Sequence, residues 1–260
     1  MKNPAGRRAL PGVLTAIAAT TALDAGGLSA FSALVLMPLL GLFWYFGRHS
    51  RASMGFTWGR PRDYMLALLY PVFVLGAAVA IAWVTGAVDI TATDWGKAGR
   101  NIALIAASTI VVAIVTEEGF FRGWLFASLE RAGLGKPQIL IWSSIAFALW
   151  HLSAVTLDTG FDLPAGQVPV FMFNAALLGV IWGLLRQVSG SVIVASVSHG
   201  VWNGLAYVLF GFGTKTGALG IENSAFYGPE SGFLGIALNL VFAAALYQSG
   251  QMMRARVPRG

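Results

Sequence analysis

The sequence contains no cysteine, and this absence excludes a disulfide framework, a thiolate metal site and a cysteine nucleophile. Two protease patterns are also missing, the HExxH of zinc proteases and the GxSxG of serine hydrolases. Charge is scarce, since Asp, Glu, Lys and Arg make up 11% of the 260 residues, against about 25% in soluble domains. With 57% hydrophobic residues and a mean hydropathy of +0.71, the composition predicts a membrane protein.

Long apolar runs dominate the chain, and each can cross a bilayer as a helix of about 20 residues. Seven runs cover 28–46, 64–85, 101 into a charged motif, 138–157, 168–185, 191–212 and 233–247. A shorter run, 12–23, follows three basic residues, and we expect a short or tilted helix packed against the second rather than a cleaved signal peptide. The sequence therefore predicts an all-α, polytopic bundle of about eight transmembrane helices, forming a single integral-membrane domain over 1–260.

The basic residues predict the orientation of this bundle. With eight crossings, fourteen of the seventeen Lys and Arg residues fall on one side, leaving Lys97, Arg100 and Lys215 on the other. The positive-inside rule then places both termini in the cytoplasm, and we expect the bacterial cytoplasmic membrane as the location. Because the basic residues are scattered and form no patch, we expect the lipid bilayer rather than a nucleic acid as a partner.

A charged motif, EEGFFR at 117–122, interrupts the third run of this series. We expect one long helix over about 100–131, which places Glu117 well inside the membrane. Glu118 and Arg122 stand four residues apart and can form an ion pair on one helix face. Glu117 is rotated about 100° from that face and is free for chemistry. Ionisable groups inside a membrane are costly and usually mark function.

Two further polar groups lie on neighbouring helices. If the chain turns at 132–135, His151 on the next helix reaches the same depth as Glu117, about 20 Å from the turn. Phe147, one turn earlier, is expected to hold the His151 imidazole by packing. His199 and Asn203 stand four residues apart and share one helix face. Four other buried polar residues are expected only to cement helix packing. These are Asn174, Ser144, Ser196 and Asn239.

The three polar clusters resemble the motifs of a known family. EEGFFR (117–122) is similar to EExxxR, FALWH (147–151) to FxxxH and HGVWN (199–203) to HxxxN, in that order, of the CPBP family. That family comprises CAAX prenyl proteases and bacteriocin-processing enzymes and is also called Abi. The resemblance implies an intramembrane endopeptidase with a catalytic core at about 100–210.

Residue roles follow from the chemistry of amide hydrolysis, which needs a base for water, donors for an oxyanion and an acid for the leaving amine. We expect Glu117 and His151 to bind and deprotonate the water, and Glu117 to return the proton to the amine. His199 and Asn203 would donate to the oxyanion. Glu118, Arg122 and Phe147 would support the site. No cofactor is favoured, although a zinc ion on Glu117, His151 and His199, with water in the fourth position, is chemically possible.

Two readings without proteolysis remain alternatives. A transporter could use the same buried charges as a proton relay, but the chain shows no repeated halves. A non-catalytic membrane scaffold or bacteriocin-immunity protein could keep the same fold. The substrate is expected to be a peptide or a membrane protein, and peptide leaders, bacteriocin precursors and membrane-protein tails are equally open.

Overall fold

The computed structural model describes residues 4–255, with side chains described over 9–249. Within these residues the α-helices are α1 (Pro4–Ala25), α2 (Leu36–Gly47), α3 (Pro61–Val84), α4 (Trp95–Val115), α5 (Phe126–Arg131), α6 (Lys136–Trp150), α7 (Leu152–Thr156), α8 (Val168–Ser189), α9 (Val192–Leu205), α10 (Ser224–Tyr227) and α11 (Phe233–Ala255). Two π-helical segments cover Glu118–Leu125 and Ala206–Phe210, and short 3-10 helices cover Ser29–Phe31 and Ala165–Gln167. A small antiparallel hairpin pairs β1 (Gly211–Phe212) with β2 (Lys215–Thr216).

Six helical segments among the described residues are long and apolar enough to cross a membrane. They are Ser29–Gly47, Pro61–Val84, Trp95–Arg131, Lys136–Thr156, Ala165–Ser189 and Val192–Leu209. The two other apolar helices, Ala9–Ala25 and Phe233–Ser249, are shorter. The polytopic helical bundle is therefore confirmed, whereas the count of eight crossings stays a prediction.

The sequence predicted that the charged motif lies in one long α-helix. The structure shows that it does not. Helix α4 ends at Val115, and Thr116 leaves the helical region with φ −117° and ψ −105°. The next residues continue in the same direction as a π-helix, whose wider turns have i→i+5 hydrogen bonds. Gly119 is required here because a Cβ at this position would collide with the carbonyl oxygen of Ile114. The expected helix over about 100–131 is thus three consecutive pieces, and it begins at Trp95.

Helix α1 is longer than the predicted short segment and packs against more than its neighbour. A Cβ on Gly12 would come within 3.2 Å of Phe43 on α2, so the predicted contact is present. Further contacts reach α6 and α7, where Trp150 Nε1 donates to Thr20 Oγ1 at 2.7 Å. Ser153 Oγ also donates to Asp24 Oδ2 at 2.6 Å. Helix α1 therefore braces the segment that contains His151.

Helices α4 and α9 approach each other closely because α9 has two glycines on the facing side. A Cβ at Gly200 would meet the Ala106 carbonyl oxygen at 2.6 Å, and one at Gly204 would meet the Ile102 carbonyl oxygen at 2.8 Å. The spacing is the small-xxx-small pattern that lets membrane helices pack backbone to backbone. Each glycine follows a polar motif residue, His199 or Asn203. This close packing brings the α9 motif to the end of α4, where the glutamates begin.

Candidate active site

Glu117 lies between two histidines that come from different helices. Its Oε2 atom is 3.8 Å from Nε2 of His151 and 3.9 Å from Nε2 of His199. The hairpin between α5 and α6 therefore aligns Glu117 with His151, as predicted. Both distances exceed a direct hydrogen bond and suit contacts through a single water molecule. The Glu117 side chain is 16% exposed, so it is not fully sealed among the helices.

His151 is oriented by the residue one turn before it. Its Nδ1 lies 2.9 Å from the Phe147 carbonyl oxygen, which can only accept, so Nδ1 carries the proton. In the neutral ring, Nε2 then presents a lone pair towards Glu117. The Phe147 ring packs edge-on against the imidazole with 4.5 Å between ring centroids. The expected contact between Phe147 and His151 is therefore present, and the role of Phe147 stays a prediction.

His199 is fixed by groups on two sides. Its Nδ1 donates to Glu118 Oε1 at 3.1 Å, and its ring stacks on Trp182 with centroids 3.9 Å apart and planes 15° apart. Nε2 is thereby directed towards Glu117. The role of Trp182 was missed from the sequence, because one tryptophan in an apolar helix carries no signal that distinguishes it from ordinary core.

The predicted ion pair between Glu118 and Arg122 is confirmed. Arg122 Nη1 lies 3.2 Å from Glu118 Oε1, and both side chains are 0% exposed. The guanidinium also sits over the ring of Phe147, with Cζ 4.1 Å from the centroid. A cation facing an aromatic ring is stabilised by the ring quadrupole, which helps to offset burial. Arg122, Glu118 and His199 therefore form one connected polar group, and Phe147 contacts both Arg122 and His151.

A small cavity of about 20 Å³ adjoins these groups. Its polar lining comes from His151, His199, Asn203, Tyr207 and Glu230, with apolar walls from α6 and α8. A water molecule needs roughly 10–15 Å³ and two to four polar partners, so the cavity suits one ordered water. The structure thus brings His151, His199 and Asn203 to one cavity, with Glu117 beside the two histidines.

Glu230, in the loop before α11, is a site residue that sequence reasoning missed. Trp202 Nε1 donates to Glu230 Oε1 at 2.8 Å, which places the carboxylate at the cavity wall. Burial is the main cause that raises the pKa of Glu230 to about 7. The sequence offered one weak signal, since this acidic residue stands three residues before an apolar run.

A buried amide network holds the loop that contains Glu230. Asn174 Nδ2 donates to the carbonyl oxygens of Pro229 at 2.6 Å and Glu230 at 3.1 Å. Asn239 Nδ2 donates to Asn174 Oδ1 at 2.9 Å, and Tyr70 OH donates to Asn239 Oδ1 at 2.7 Å. Asn174 and Asn239 do link helices, as predicted, but they also fix this loop beside the cavity.

The distances between these side chains can be compared with the distances between ligand atoms in a zinc site. Ligand atoms around tetrahedral zinc lie about 3.4 Å apart, given metal–ligand lengths of about 2.1 Å. The two separations from Glu117 are wider, 3.8 and 3.9 Å. No cluster of three or more His, Cys, Asp or Glu among the described residues has the arrangement of a metal site. The residues as placed are spaced too widely for zinc, and no step of the reaction is assigned to a metal.

An apolar helical bundle with charged groups converging on a water-sized cavity defines a class, that of integral-membrane proteins with a polar site between their helices. Residues 99–205 match the family model described as Rce1-like, type II CAAX prenyl endopeptidase. The resemblance seen in the three motifs is therefore confirmed for this segment, which covers 107 of the 260 residues. No curated protein and no solved structure matches the chain.

Proposed function

We propose that this protein is an intramembrane endopeptidase that hydrolyses peptide bonds with a water activated by Glu117 and His151. The observation that carries the proposal is the position of Glu117 Oε2, within 4 Å of two imidazole Nε2 atoms beside a water-sized cavity. The match of residues 99–205 to a prenyl endopeptidase family supports the same reaction class.

The first step is activation of water. A water bound there donates one hydrogen bond to Glu117 and one to the lone pair on His151 Nε2. As the water oxygen attacks the carbonyl carbon, Glu117 accepts its proton. The lone pair on His151 is available because Nδ1–H is occupied by the Phe147 carbonyl oxygen.

Stabilisation of the oxyanion falls to His199 and Asn203. Asn203 lines the cavity and can donate from its amide nitrogen. Donation from His199 Nε2 requires the imidazolium form, in which Nδ1–H continues to donate to Glu118. Such preorganised donors contribute about 3 kcal/mol each to the transition state. The proton that Glu117 accepted from the water is then available to the nitrogen of the leaving amine.

The experiment that tests the function uses the purified, detergent-solubilised chain and a library of peptides. Wild type should cleave a subset of the library, and Glu117→Gln should cleave none while retaining a wild-type melting temperature. A non-catalytic scaffold or immunity protein of the same fold would bind without cleavage in both forms. That result would refute the proposal.

Metal dependence is tested on the same preparation. Exhaustive chelation should leave cleavage intact, and purified active protein should contain no stoichiometric zinc. One zinc per chain, with activity lost on chelation and restored by zinc, would reassign Glu117, His151 and His199 as ligands and support the zinc-dependent version.

We also propose that both termini face the cytoplasm of a bacterial cell. The support is the distribution of basic residues in the predicted eight-crossing bundle. Apart from Arg122, which is buried in its ion pair, thirteen of the seventeen fall on one side. The absence of cysteine makes single-cysteine labelling free of background. Asn3→Cys and Val257→Cys should both be protected from an impermeant reagent in intact cells, and labelling of only one of them would contradict the topology.

A further inference from the structure

The loop that precedes α11 places a second carboxylate at the cavity. Glu230 lines the small cavity together with His151, His199 and Asn203. It also lines a larger cavity of about 220 Å³, formed by the loops around the β1–β2 hairpin. Phe171 and Tyr207 are the other residues common to both cavities. Glu230 therefore stands where a chain that occupied both cavities would pass.

The placement of this carboxylate is supported by several contacts from separate helices. The Trp202 indole donates to it, and the Trp202 ring stacks on Tyr70 with centroids 5.1 Å apart. Asn174 donates to two consecutive carbonyl oxygens of the same loop. A carboxylate that served only to cap the Trp202 indole would not need to line both cavities.

The surroundings of Glu230 favour its protonated form. The titratable groups around it are Glu117, His199, Tyr207 and Tyr70. Desolvation outweighs the opposing effects of Trp202, His199 and Tyr207, and the pKa of Glu230 rises to about 7. A large fraction of the molecules then carries a proton on this carboxyl at neutral pH. Acids with a pKa near the working pH are the most effective proton donors.

We propose that Glu230 is a catalytic acid of this site and delivers a proton to the leaving amine, an inference that rests on the proposed endopeptidase function. Water gives one proton to Glu117, and its oxygen bonds to the carbonyl carbon. The C–N bond then breaks, and the nitrogen takes the proton from the Glu230 carboxyl. The products are a carboxylic acid and an amine, with Glu117 protonated and Glu230 ionised. Transfer of one proton from Glu117 to Glu230 through water restores the site.

The test compares two leaving groups in one variant. Glu230→Gln keeps an oxygen that can accept from the Trp202 indole but has no acid proton. The substrates are a peptide that wild type cleaves and its analogue with a phenolic ester at the scissile position. A phenolate leaves without a proton, whereas an amine does not. The variant should lose about 10²-fold or more on the amide, the lower range for general acid catalysis, and less than about 3-fold on the ester.

Controls separate this role from loop positioning. Asn174→Ala loosens the loop and should slow both substrates by the same factor. Glu130→Gln removes an exposed carboxylate on α5 that lines neither cavity, and both rates should stay at wild-type values. Glu230→Asp keeps a carboxylic acid but moves it back by one methylene group. The amide should again be slowed more than the ester. This variant provides a second measurement if Glu230→Gln does not accumulate in cells.

Two outcomes would overturn the inference while leaving the endopeptidase intact. One is an unchanged amide rate in Glu230→Gln, and the other is an equal loss on the amide and the ester. If wild type cleaved neither substrate, both the proposed function and the role of Glu230 would be refuted.

Discussion

The two sides of the His199 ring face different environments. On the sealed side, defined by Glu118, Arg122 and Trp182, the charged side chains are fully buried and contact each other. On the cavity side, defined by Glu117, His151, Asn203 and Glu230, the last three residues line the small cavity. Glu117 lies 3.8 Å from His151 and 3.9 Å from His199, distances that suit a bridging molecule.

This difference follows from the cost of burying charge. A buried carboxylate is tolerated when a cation and hydrogen-bond donors replace the water it loses. Glu118 has both, from Arg122 and His199. Glu117 has two imidazoles just beyond direct contact, which leaves its oxygens available to a water or a substrate. Glu117 and Glu118 are adjacent and chemically identical, yet Glu118 holds its partners in position whereas Glu117 is available for the reaction.

The largest expected effect comes from substitutions that disrupt the cavity side. Glu117→Gln, His151→Ala and His199→Ala should each lower kcat/KM at least about 10³-fold, or about 4 kcal/mol of transition-state stabilisation. The losses should overlap in the double variants, because residues that act as one unit are not additive. Steady-state cleavage of the library substrate measures this. Glu130→Gln, an exposed carboxylate on α5, is the control and should retain full activity. Additive losses would mean that the three residues act independently.

The next effect breaks the sealed side. Glu118→Gln leaves the Arg122 charge buried without its counter-ion, and loss of one partner of a buried pair costs about 3–5 kcal/mol. The variant should melt at a clearly lower temperature in detergent, whereas Glu117→Gln should melt with wild type. Asp158→Asn, in an exposed loop, serves as the control. Equal melting temperatures for the Glu117 and Glu118 variants would contradict the division between the two sides.

A smaller effect is expected from a substitution that tests one hydrogen-bond donor on the cavity side. Asn203→Ala removes one of two proposed oxyanion donors and should lower kcat about 10²-fold, or about 3 kcal/mol, while KM changes little. The single-turnover rate measures the chemical step directly. Asn101→Ala, on α4, is a matched control because Asn101 does not line the cavity. A loss as large as that of Glu117→Gln, or no loss at all, would remove Asn203 from the oxyanion role.

Local spacing was enough to predict the ion pair and the depth of His151. Glu118 and Arg122 are four residues apart, and helix geometry makes such residues neighbours. Counting residues from the α5–α6 turn placed Glu117 level with His151 because both helices leave the same hairpin. The roles of the site residues stay predictions, as does the count of eight crossings.

Contacts between distant segments were beyond the reach of spacing. The spacing of apolar residues along a helix does not relate Glu230 or Trp182 to the motifs. The positions of these two residues depend on how α8, α9 and the loop before α11 pack together. The π-helical winding was also missed, since EEGFFR reads equally well as α-helix. Its requirement for Gly119 appears only when the Ile114 carbonyl oxygen is seen beside it.

The smallest expected effect tests the packing that joins the two sides to α4. Gly200→Ala places a methyl group against the backbone of Ala106 and of Ile110, which cannot move without shifting α4. Overpacking of this kind costs about 1–3 kcal/mol, so the melting temperature should fall. Because His199 precedes this glycine, cleavage should fall as well, and the Nε2 position should move away from Glu117.

Gly76→Ala is the matched control, since a methyl group at this α3 position meets no atom within 4 Å. Alanine is favoured over glycine inside a helix, so this variant should be as stable as wild type or more so, with unchanged activity. A second α9 variant, Gly204→Ala, meets the Ile102 carbonyl oxygen and should behave like Gly200→Ala. If both α9 variants matched Gly76→Ala in melting temperature and in cleavage, backbone contact between α4 and α9 would not be what holds His199 beside the glutamates.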